Sequence, residues 1–405
     1  MKSFIHTPEG VRDIYGGECR QKRQIQDKIH QTFLSFGYED IETPTFEFFD
    51  VFGNQIGTTP SRELYKFFDK EGNTLVLRPD FTPSIGRCAA KYFSERTVPL
   101  RLTYLGNTYT NTSNLQGKLK EITQMGVELI GDYSLMADAE AVHLAVASLK
   151  AAGLKEFQIS IGEIGFFKGI CEEAGLEEET EEALRNYISH KDYFGAEELL
   201  NNQKLSKKKI QSFLKITELF GSCEVLEDAK GLVNNERSKQ AIERLEKLYE
   251  LLKLYGDEKY VSFDLGLISR YHYYTGIIFK GYTYGVGDAI VTGGRYDKLL
   301  SFFGKDTASI GFVIHVDGVM QALASKKLLP KLKAETVLLL YDEETAAEAI
   351  RYANELRKLG DACQLLLCGA DEEEPFIQLA KREQKKAVLK MTPKGIKKLY
   401  EFQEK

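Results

Sequence analysis

Two segments of the sequence place polar side chains where they could hold a small ligand. In the first, Asp80 and Thr82 follow a short apolar run, so a carboxylate and a hydroxyl stand just past a predicted strand end. A carboxylate in that place can bind an ammonium group. In the second, Gln124, Gly126 and Glu128 alternate along a predicted strand and therefore share one face. Because glycine has no side chain, it leaves room for a ligand between its polar neighbours.

A third segment combines paired tyrosines with a glycine-rich run. Tyr273 and Tyr274 can form the wall of a small pocket, and the run 293–297 (GGRYD) lets the backbone approach a ligand closely. Each segment also has a simpler explanation, since a carboxylate after a strand is common in turns and paired tyrosines commonly pack in a core or at a sheet edge. Singly, none of the three segments supports a functional assignment.

The hydrophobic pattern predicts the elements that must position these segments. Residues 17–36 have helical spacing, with Ile25, Ile29 and Phe33 on one face. Residues 100–109 and 122–130 are typical of a long hairpin joined by a polar loop. Further strands are predicted over residues 157–161, 260–265, 273–279, 289–292 and 310–316. The pattern therefore indicates a mixed, largely antiparallel sheet with helices.

The character of the chain changes between about residues 168 and 258, where Glu and Lys dominate, proline is absent and helical spacings are frequent. This indicates a helical insert within a core that spans residues 1–325. The tail, residues 335–405, alternates strands and helices and ends in a predicted helix. Such alternation is typical of a small α/β domain. The fold class is therefore predicted as α+β, with a separate C-terminal α/β domain.

Composition excludes several classes of protein. The chain has 405 residues, more than a single core of about 250–300 residues accommodates, and a net charge of -6, which gives no general attraction to nucleic acid. No apolar run approaches the roughly 18–20 residues that cross a bilayer, and no signal peptide is visible, so a cytoplasmic protein is expected. The six cysteines form no C-x-x-C pair and the six histidines have no zinc-site spacing. We expect reduced thiols, no metal and no cofactor.

In this order and at these separations, the segments resemble the catalytic core of histidyl-tRNA synthetase, a class II aminoacyl-tRNA synthetase, over residues 1–320. Residues 37–52 resemble its first motif, the dimer-forming strand, the hairpin resembles its second motif, and residues 311–314 begin the third. The tyrosine pair and the GGRYD run resemble two signatures of the histidyl type. The tail resembles a shortened anticodon-binding domain. The resemblance implies a class II synthetase-like antiparallel sheet core and a histidine pocket formed by Asp80, Thr82, Gln124, Glu128, Tyr273 and Tyr274.

The sequence departs from the synthetase at the positions that bind ATP. In the synthetase, the loop of the second motif carries an arginine and a glutamate that clamp ATP, and here Thr110, Thr112 and Ser113 occupy the loop's matching positions. Ser269 replaces the arginine of the histidyl signature, and Gly318 replaces the arginine that ends the third motif. Fixed cations stabilise the charge that develops during adenylate formation, and losing one typically costs about 10²–10³ in rate. We therefore expect no catalytic residues and no synthetase activity in this chain.

A synthetase-like paralogue without these cations resembles the regulatory subunits of ATP phosphoribosyltransferase. That resemblance implies a self-dimer that joins a short-form catalytic subunit in a hetero-octamer. It also implies that the chain is required for the first step of histidine biosynthesis and for feedback by L-histidine, whose pocket lies in this chain or on the partner.

Two alternatives belong to other classes of protein. One is an active histidyl-tRNA synthetase in which Arg270 or Lys118 supplies the missing charge. The other is a synthetase-like sensor of tRNA or an amino acid, although the net acidic chain argues against tRNA binding.

Overall fold

The computed structural model describes residues 5–53, 59–112, 118–203, 205–268, 273–369 and 372–403. The chain divides into two compact units, Met1–Pro330 and Lys331–Lys405. The first unit contains all the segments that the sequence predicts to form a pocket. In the described part of the chain, no helix is long and apolar enough to cross a membrane.

The first unit is built on a large sheet. Its described strands are β1 (Glu39–Asp40), β2 (Phe46–Phe48), β3 (Lys66–Phe68), β4 (Thr74–Leu77), β5 (Leu100–Tyr109), β6 (Glu121–Ile130), β7 (Phe157–Glu163), β8 (Phe220–Gly221), β9 (Val261–Asp264), β10 (Ile277–Thr283), β11 (Val291–Arg295) and β12 (Ser309–His315). Nine of these described strands form the sheet, in the order β1-β5-β6-β12-β11-β10-β7-β9-β8. Only the β1–β5 and β7–β9 pairs among them are parallel. The predicted mixed, largely antiparallel sheet is thus confirmed.

Helices cover one face of this sheet and extend beyond it. The described helices of the first unit are α1 (Gly16–Ser35), α2 (Thr82–Tyr92), α3 (Leu135–Ala152), α4 (Ile164–Ala174), α5 (Glu178–Ser189), α6 (Tyr193–Asn202), α7 (Lys207–Ile216), α8 (Glu224–Lys230), α9 (Glu236–Leu254) and α10 (Val316–Ser325). Six consecutive helices, α4 to α9, occupy the lysine- and glutamate-rich stretch. The helix α3 begins at the Ser134 cap, whose hydroxyl accepts the Ala137 N–H at 3.2 Å, and ends at Gly153, with a φ of 106°.

Alternation along β6 separates the hydrophobic core from the pocket. Met125, Val127 and Leu129 are fully buried in the core cluster that also contains the apolar residues of α1 and α3. The residues between them, including Glu128, point to the opposite face of the sheet because strand side chains alternate. The α1 helix contributes Phe33, whose ring meets Phe312 of β12 edge-on with centroids 5.8 Å apart. One face of the sheet therefore holds the main core, and the other holds Glu128 beside a second apolar cluster that includes Ile85 and Leu102.

The second unit is a four-stranded sheet with one helix on each face. Its described elements are β13 (Thr336–Tyr341), α11 (Ala346–Lys358), β14 (Ala362–Leu367), α12 (Glu374–Arg382), β15 (Ala387–Thr392) and β16 (Gly395–Glu401). The strand order is β14-β13-β15-β16, parallel except for the last pair. Val337 and Leu339 pack with α11, while Leu338 and Leu340 pack with α12.

The predicted final helix of the tail is wrong, because residues 395–401 form the antiparallel strand β16. A tight turn directs the chain back along β15. Gly395 has a φ of 115°, and the Thr392 hydroxyl donates to the Gly395 carbonyl at 2.8 Å. The turn and the pairing with β15 determine the structure of this segment.

Candidate ligand-binding site

A buried carboxylate, Glu128, lies at the centre of the site. Its side chain belongs to β6 and is only 1% exposed. Oε1 accepts a hydrogen bond from the Thr82 hydroxyl at 2.7 Å, and Oε2 accepts one from the Tyr296 hydroxyl. Burial raises the pKa of Glu128 to about 8, although the two hydroxyl hydrogen bonds oppose this rise. In the unliganded pocket at neutral pH, Glu128 is therefore mostly protonated.

A second carboxylate, Asp80, stands beside Glu128 at the start of α2. Its Oδ1 accepts the backbone N–H groups of Phe81 at 2.7 Å and Thr82 at 3.4 Å. Burial raises the pKa of Asp80, while these backbone hydrogen bonds lower it, and its charge also helps to raise the pKa of Glu128. Two carboxyl groups close together in a buried pocket favour a cationic ligand, because a positive charge between them stabilises both ionised forms.

Two glycines make room for side chains of the site. A Cβ at Gly126 would lie 2.3 Å from the Tyr104 hydroxyl oxygen, and a Cβ at Gly311 would lie 1.9 Å from Glu128 Oε2. Both distances are far shorter than a van der Waals contact, so no other residue fits without moving its neighbours. The two glycines therefore allow the Tyr104 hydroxyl and the Glu128 carboxyl group to lie directly against the backbone of β6 and β12.

Aromatic rings form the wall of the pocket. The Tyr273 ring lies 4.6 Å from that of Tyr274, centroid to centroid, and meets the Tyr296 ring edge-on at 5.8 Å. On another side, the Phe81 and Tyr104 rings stack at 4.4 Å. Packing of this kind fixes ring positions before a ligand arrives, as a preformed pocket requires.

The tyrosine pair does not lie on a strand, which corrects the predicted strand over residues 273–279. The strand β10 begins at Ile277, and residues 273–276 form the connection that leads into it. The Thr275 N–H donates to the Arg295 carbonyl at 2.8 Å, and the Ile164 N–H donates to the Gly276 carbonyl at 3.1 Å. The second bond continues the β7–β10 register by one residue, so the segment is tied to β11 and to the first residue of α4 at the end of that pairing. The positions Ser113, Ser269 and Arg270 lie outside the described residues.

Gln124 extends the site along β6. It lies opposite His315 of β12 and shares the sheet face of Glu128. The side chain is 8% exposed, and its Oε1 has no hydrogen-bond partner among the described residues. A buried acceptor without a donor is uncommon in folded proteins, so this oxygen is suited to receive an N–H from a ligand.

The structure thus brings the six predicted site residues to one side of the sheet. Asp80, Thr82 and Glu128 are in direct or electrostatic contact, and the tyrosine pair reaches them through Tyr296. Tyr296 and Tyr104 were missing from the predicted pocket. Tyr296 lies within the GGRYD run, so that run was the signal that could have placed it there.

The arginine of the GGRYD run has a structural role. Arg295 is 4% exposed, and its Nε donates to Asp138 Oδ1 at 2.8 Å. Asp138 is fully buried in α3 and also receives Arg244. A second contact runs from Arg295 Nη1 to Asp297 at 3.2 Å. All these carboxylates are paired within the protein. The Arg295–Asp138 ion pair joins β11 to α3.

A larger cavity of about 1030 Å³ lies in the part of the unit where the synthetase motifs predict ATP. Thr110, Thr112 and Gly318 all line it. Its two described cationic lining residues are already paired, Arg12 with Glu18 and Lys118 with Asp288, the latter pair 3.4 Å apart. Three carboxylates line the cavity against these two cations, so its described lining carries no excess of positive charge.

Two further side chains that line this cavity are hydrogen-bonded within the protein. His315 is held neutral, because burial lowers its pKa to about 4, and its Nε2 lies 3.1 Å from the Thr292 hydroxyl. Asp317 is engaged by the scaffold, with Oδ1 2.8 Å from Lys22 Nζ and Oδ2 accepting the Thr123 N–H at 2.8 Å. Among the described residues, no group of three or more metal-binding side chains is present.

The antiparallel sheet, the carboxylate pocket and the adjacent nucleotide-sized cavity define a class II aminoacyl-tRNA synthetase-like fold. The sequence profile described as Histidyl-tRNA synthetase matches residues 10–319. A solved histidyl-tRNA synthetase from Nostoc sp. PCC 7120 shares this fold, with a TM-score of 0.79 and 19% identity over 96% of this chain and 92% of its own.

More similar relatives carry a different description. The ATP phosphoribosyltransferase regulatory subunit of Acetivibrio thermocellus is 42% identical over 369 residues, 91% of this chain and 88% of its own. A solved ATP phosphoribosyltransferase regulatory subunit/histidyl-tRNA synthetase from Bacillus halodurans C has a TM-score of 0.85 and 34% identity over 96% of this chain and 99% of that one. The chain belongs to the ATP phosphoribosyltransferase regulatory subunit family, whose members have the histidyl-tRNA synthetase fold.

Proposed function

We propose that this chain is a non-catalytic regulatory subunit that joins a short-form ATP phosphoribosyltransferase catalytic subunit. In that role it is required for the first step of histidine biosynthesis and conveys feedback by L-histidine. The carrying observation is a contrast between the Glu128 site and the cavity lined by Thr110, Thr112 and Gly318. The carboxylate pocket around Glu128 is complete, whereas the cavity beside it has no unpaired cation among its described lining residues.

Turnover of ATP and phosphoribosyl pyrophosphate by the short catalytic subunit tests this proposal. The measurement is made with and without this chain, and each arm with and without L-histidine. Turnover that depends on the chain and falls when histidine is added is the expected result. Turnover that is indifferent to the chain would overturn the proposal.

The histidine pocket is proposed to lie in this chain. The α-ammonium group of histidine would lie between Asp80 and Glu128, and a further N–H of histidine would donate to Gln124 Oε1. Asp80→Asn should then leave activation of the catalytic subunit intact while raising the inhibitory histidine concentration roughly tenfold, since it removes one charge-assisted contact. Asp306→Asn changes an exposed carboxylate and serves as the matched control. Unchanged inhibition with Asp80→Asn would place the effector site elsewhere, on the partner subunit.

A self-dimer is proposed to form through an exposed phenylalanine face. Here β2, β4 and β3 make a small separate sheet, and Phe46, Phe48 and Phe67 share one side of it. These rings are 53%, 56% and 37% exposed, and Phe46 lies 5.8 Å from Phe67. A cluster of exposed aromatic rings marks an interaction surface, and β2 lies in the segment that resembles the dimer-forming motif.

A further inference from the structure

A second cavity, of about 490 Å³, lies at the ends of β7 and β10, away from the carboxylate pocket. It is called the tyrosine groove, and its main lining residues are Lys155, Phe157, Lys259, Tyr260, Tyr282 and Tyr284. Nothing in the proposed binding of histidine uses this groove. Two features of the groove are relevant to binding, its exposed aromatic rings and its charge.

Two tyrosines of the groove present their rings to solvent. Tyr284 is 76% exposed and Tyr282 is 39% exposed. Tyrosine is enriched at protein interfaces, because its ring buries a large area and has few rotamers to lose. An exposed pair beside a concave surface is the arrangement expected of anchor residues before their partner binds.

The rim of the groove is positively charged. Lys155 and Lys259 have no carboxylate partner within 4 Å among the described residues. A third lysine, Lys326, pairs with Glu156 at 2.5 Å and lies over the Tyr284 ring at 5.3 Å. The groove and Lys326 together carry three ammonium groups against one carboxylate, in a chain whose net charge is -6. This local excess favours an acidic partner.

The groove is preformed rather than assembled on binding. Tyr260 stacks on Phe157 with ring centroids 4.7 Å apart, and Lys150 lies over the Tyr260 ring at 4.3 Å. The Thr283 hydroxyl donates to the Glu156 carbonyl at 2.7 Å, which joins the end of β10 to the start of β7. A rigid surface loses little conformational entropy when a partner docks, so more of the contact energy appears as affinity.

We propose that the tyrosine groove is the surface on which this chain docks its catalytic subunit, through an acidic segment of that subunit. This inference rests on the proposed function and names the partner-facing surface for it. The groove is separate from the phenylalanine face, so a self-dimer and a docked catalytic subunit can form together. Tyr282 and Tyr284 insert into the partner, and Lys155 and Lys259 attract its acidic side chains.

Two substitutions test the proposal by different routes. Tyr284→Ala should weaken the affinity for the purified catalytic subunit by about tenfold or more, as loss of an interface anchor does. Lys259→Glu should slow association and reverse its salt dependence, because a rim charge acts mainly on the encounter. Matched controls are Tyr133→Ala, at a tyrosine 65% exposed elsewhere, and Lys247→Glu, at a side chain 70% exposed on α9. Titration calorimetry and stopped-flow association measure the two effects.

The outcomes separate this inference from the function on which it rests. In the expected result, both groove variants bind the catalytic subunit more weakly, while both controls match the native chain. Histidine binding by the isolated variants and their self-dimerisation stay unchanged. If the native chain binds the catalytic subunit and both groove variants bind it equally well, the docking surface is overturned and the proposed function stands. If the native chain does not bind the catalytic subunit, both are overturned.

Discussion

Histidine binding should release a proton from Glu128. In the unliganded pocket this carboxyl group has a pKa of about 8, chiefly because it is buried. An ammonium group placed between Glu128 and Asp80 favours the ionised form of Glu128 and lowers that pKa. At pH 7 the unliganded protein is mostly protonated at this site, so each histidine bound should displace about 0.9 proton.

The size of the pH effect on histidine affinity follows from the free energy needed to ionise Glu128, because the ammonium group pairs with the ionised carboxylate. One pH unit below a pKa costs about 1.4 kcal/mol, which is a tenfold loss of affinity. At pH 8 half of the groups are ionised and the cost falls to about 0.4 kcal/mol, so histidine should bind roughly fivefold more tightly at pH 8 than at pH 7. The imidazole of free histidine titrates below this window and contributes little to the change.

Calorimetry in buffers of different ionisation enthalpy measures the number of protons released. Glu128→Gln retains the shape of the side chain and removes the ionisation, so its binding should release almost no proton and should not strengthen between pH 7 and pH 8. The comparison of the two proteins also subtracts any titration of the ligand. Native protein that binds histidine without releasing a proton at pH 7 would refute the placement of the ammonium group beside Glu128.

Three other predictions follow from the geometry. Gly311→Ala should lower the free energy of unfolding, measured by denaturant titration, by about 1–3 kcal/mol, because its Cβ would overlap Glu128. Gly221→Ala is the control and should leave the free energy of unfolding unchanged, because its Cβ meets no atom within 4 Å. Phe48→Glu should convert the dimer into monomers in light scattering, and an unchanged mass would argue against the phenylalanine face. Histidine-dependent ATP–pyrophosphate exchange should remain at background in the native chain and in Gly318→Arg, since restoring one arginine does not replace the three that the synthetase uses. Exchange in either protein would support the synthetase alternative.

Local patterns in the sequence predicted the large sheet and the face of β6 that holds the site. Side-chain alternation alone placed Gln124 and Glu128 together, because a period of two is a property of every strand. The same kind of reasoning failed for Tyr273, since an apolar run before a strand looks like part of that strand. Its hydrogen bonds to β11 and α4, which come from residues distant in sequence, fix where this segment lies.

Contacts between distant residues explain what else the sequence did not reveal. The Glu128 carboxylate is bound by Tyr296, which lies 168 positions further along the chain. Lys22 donates a hydrogen bond to Asp317, 295 positions further along the chain. Motif comparison alone gives no sign that this carboxylate has a partner. No periodicity or spacing rule encodes such partners. They depend on the order in which the strands assemble, which is fixed by the packing of the whole unit.

Gly126 and Gly311 affect how this site can evolve. Since any side chain at either position would overlap Tyr104 or Glu128, those two groups can keep their places only while both positions remain glycine. The volume of the pocket is inherited with the fold, whereas charges at the rim of the neighbouring cavity can be exchanged one codon at a time. A family of proteins can therefore lose a catalytic activity and still retain the binding site that recognised the substrate.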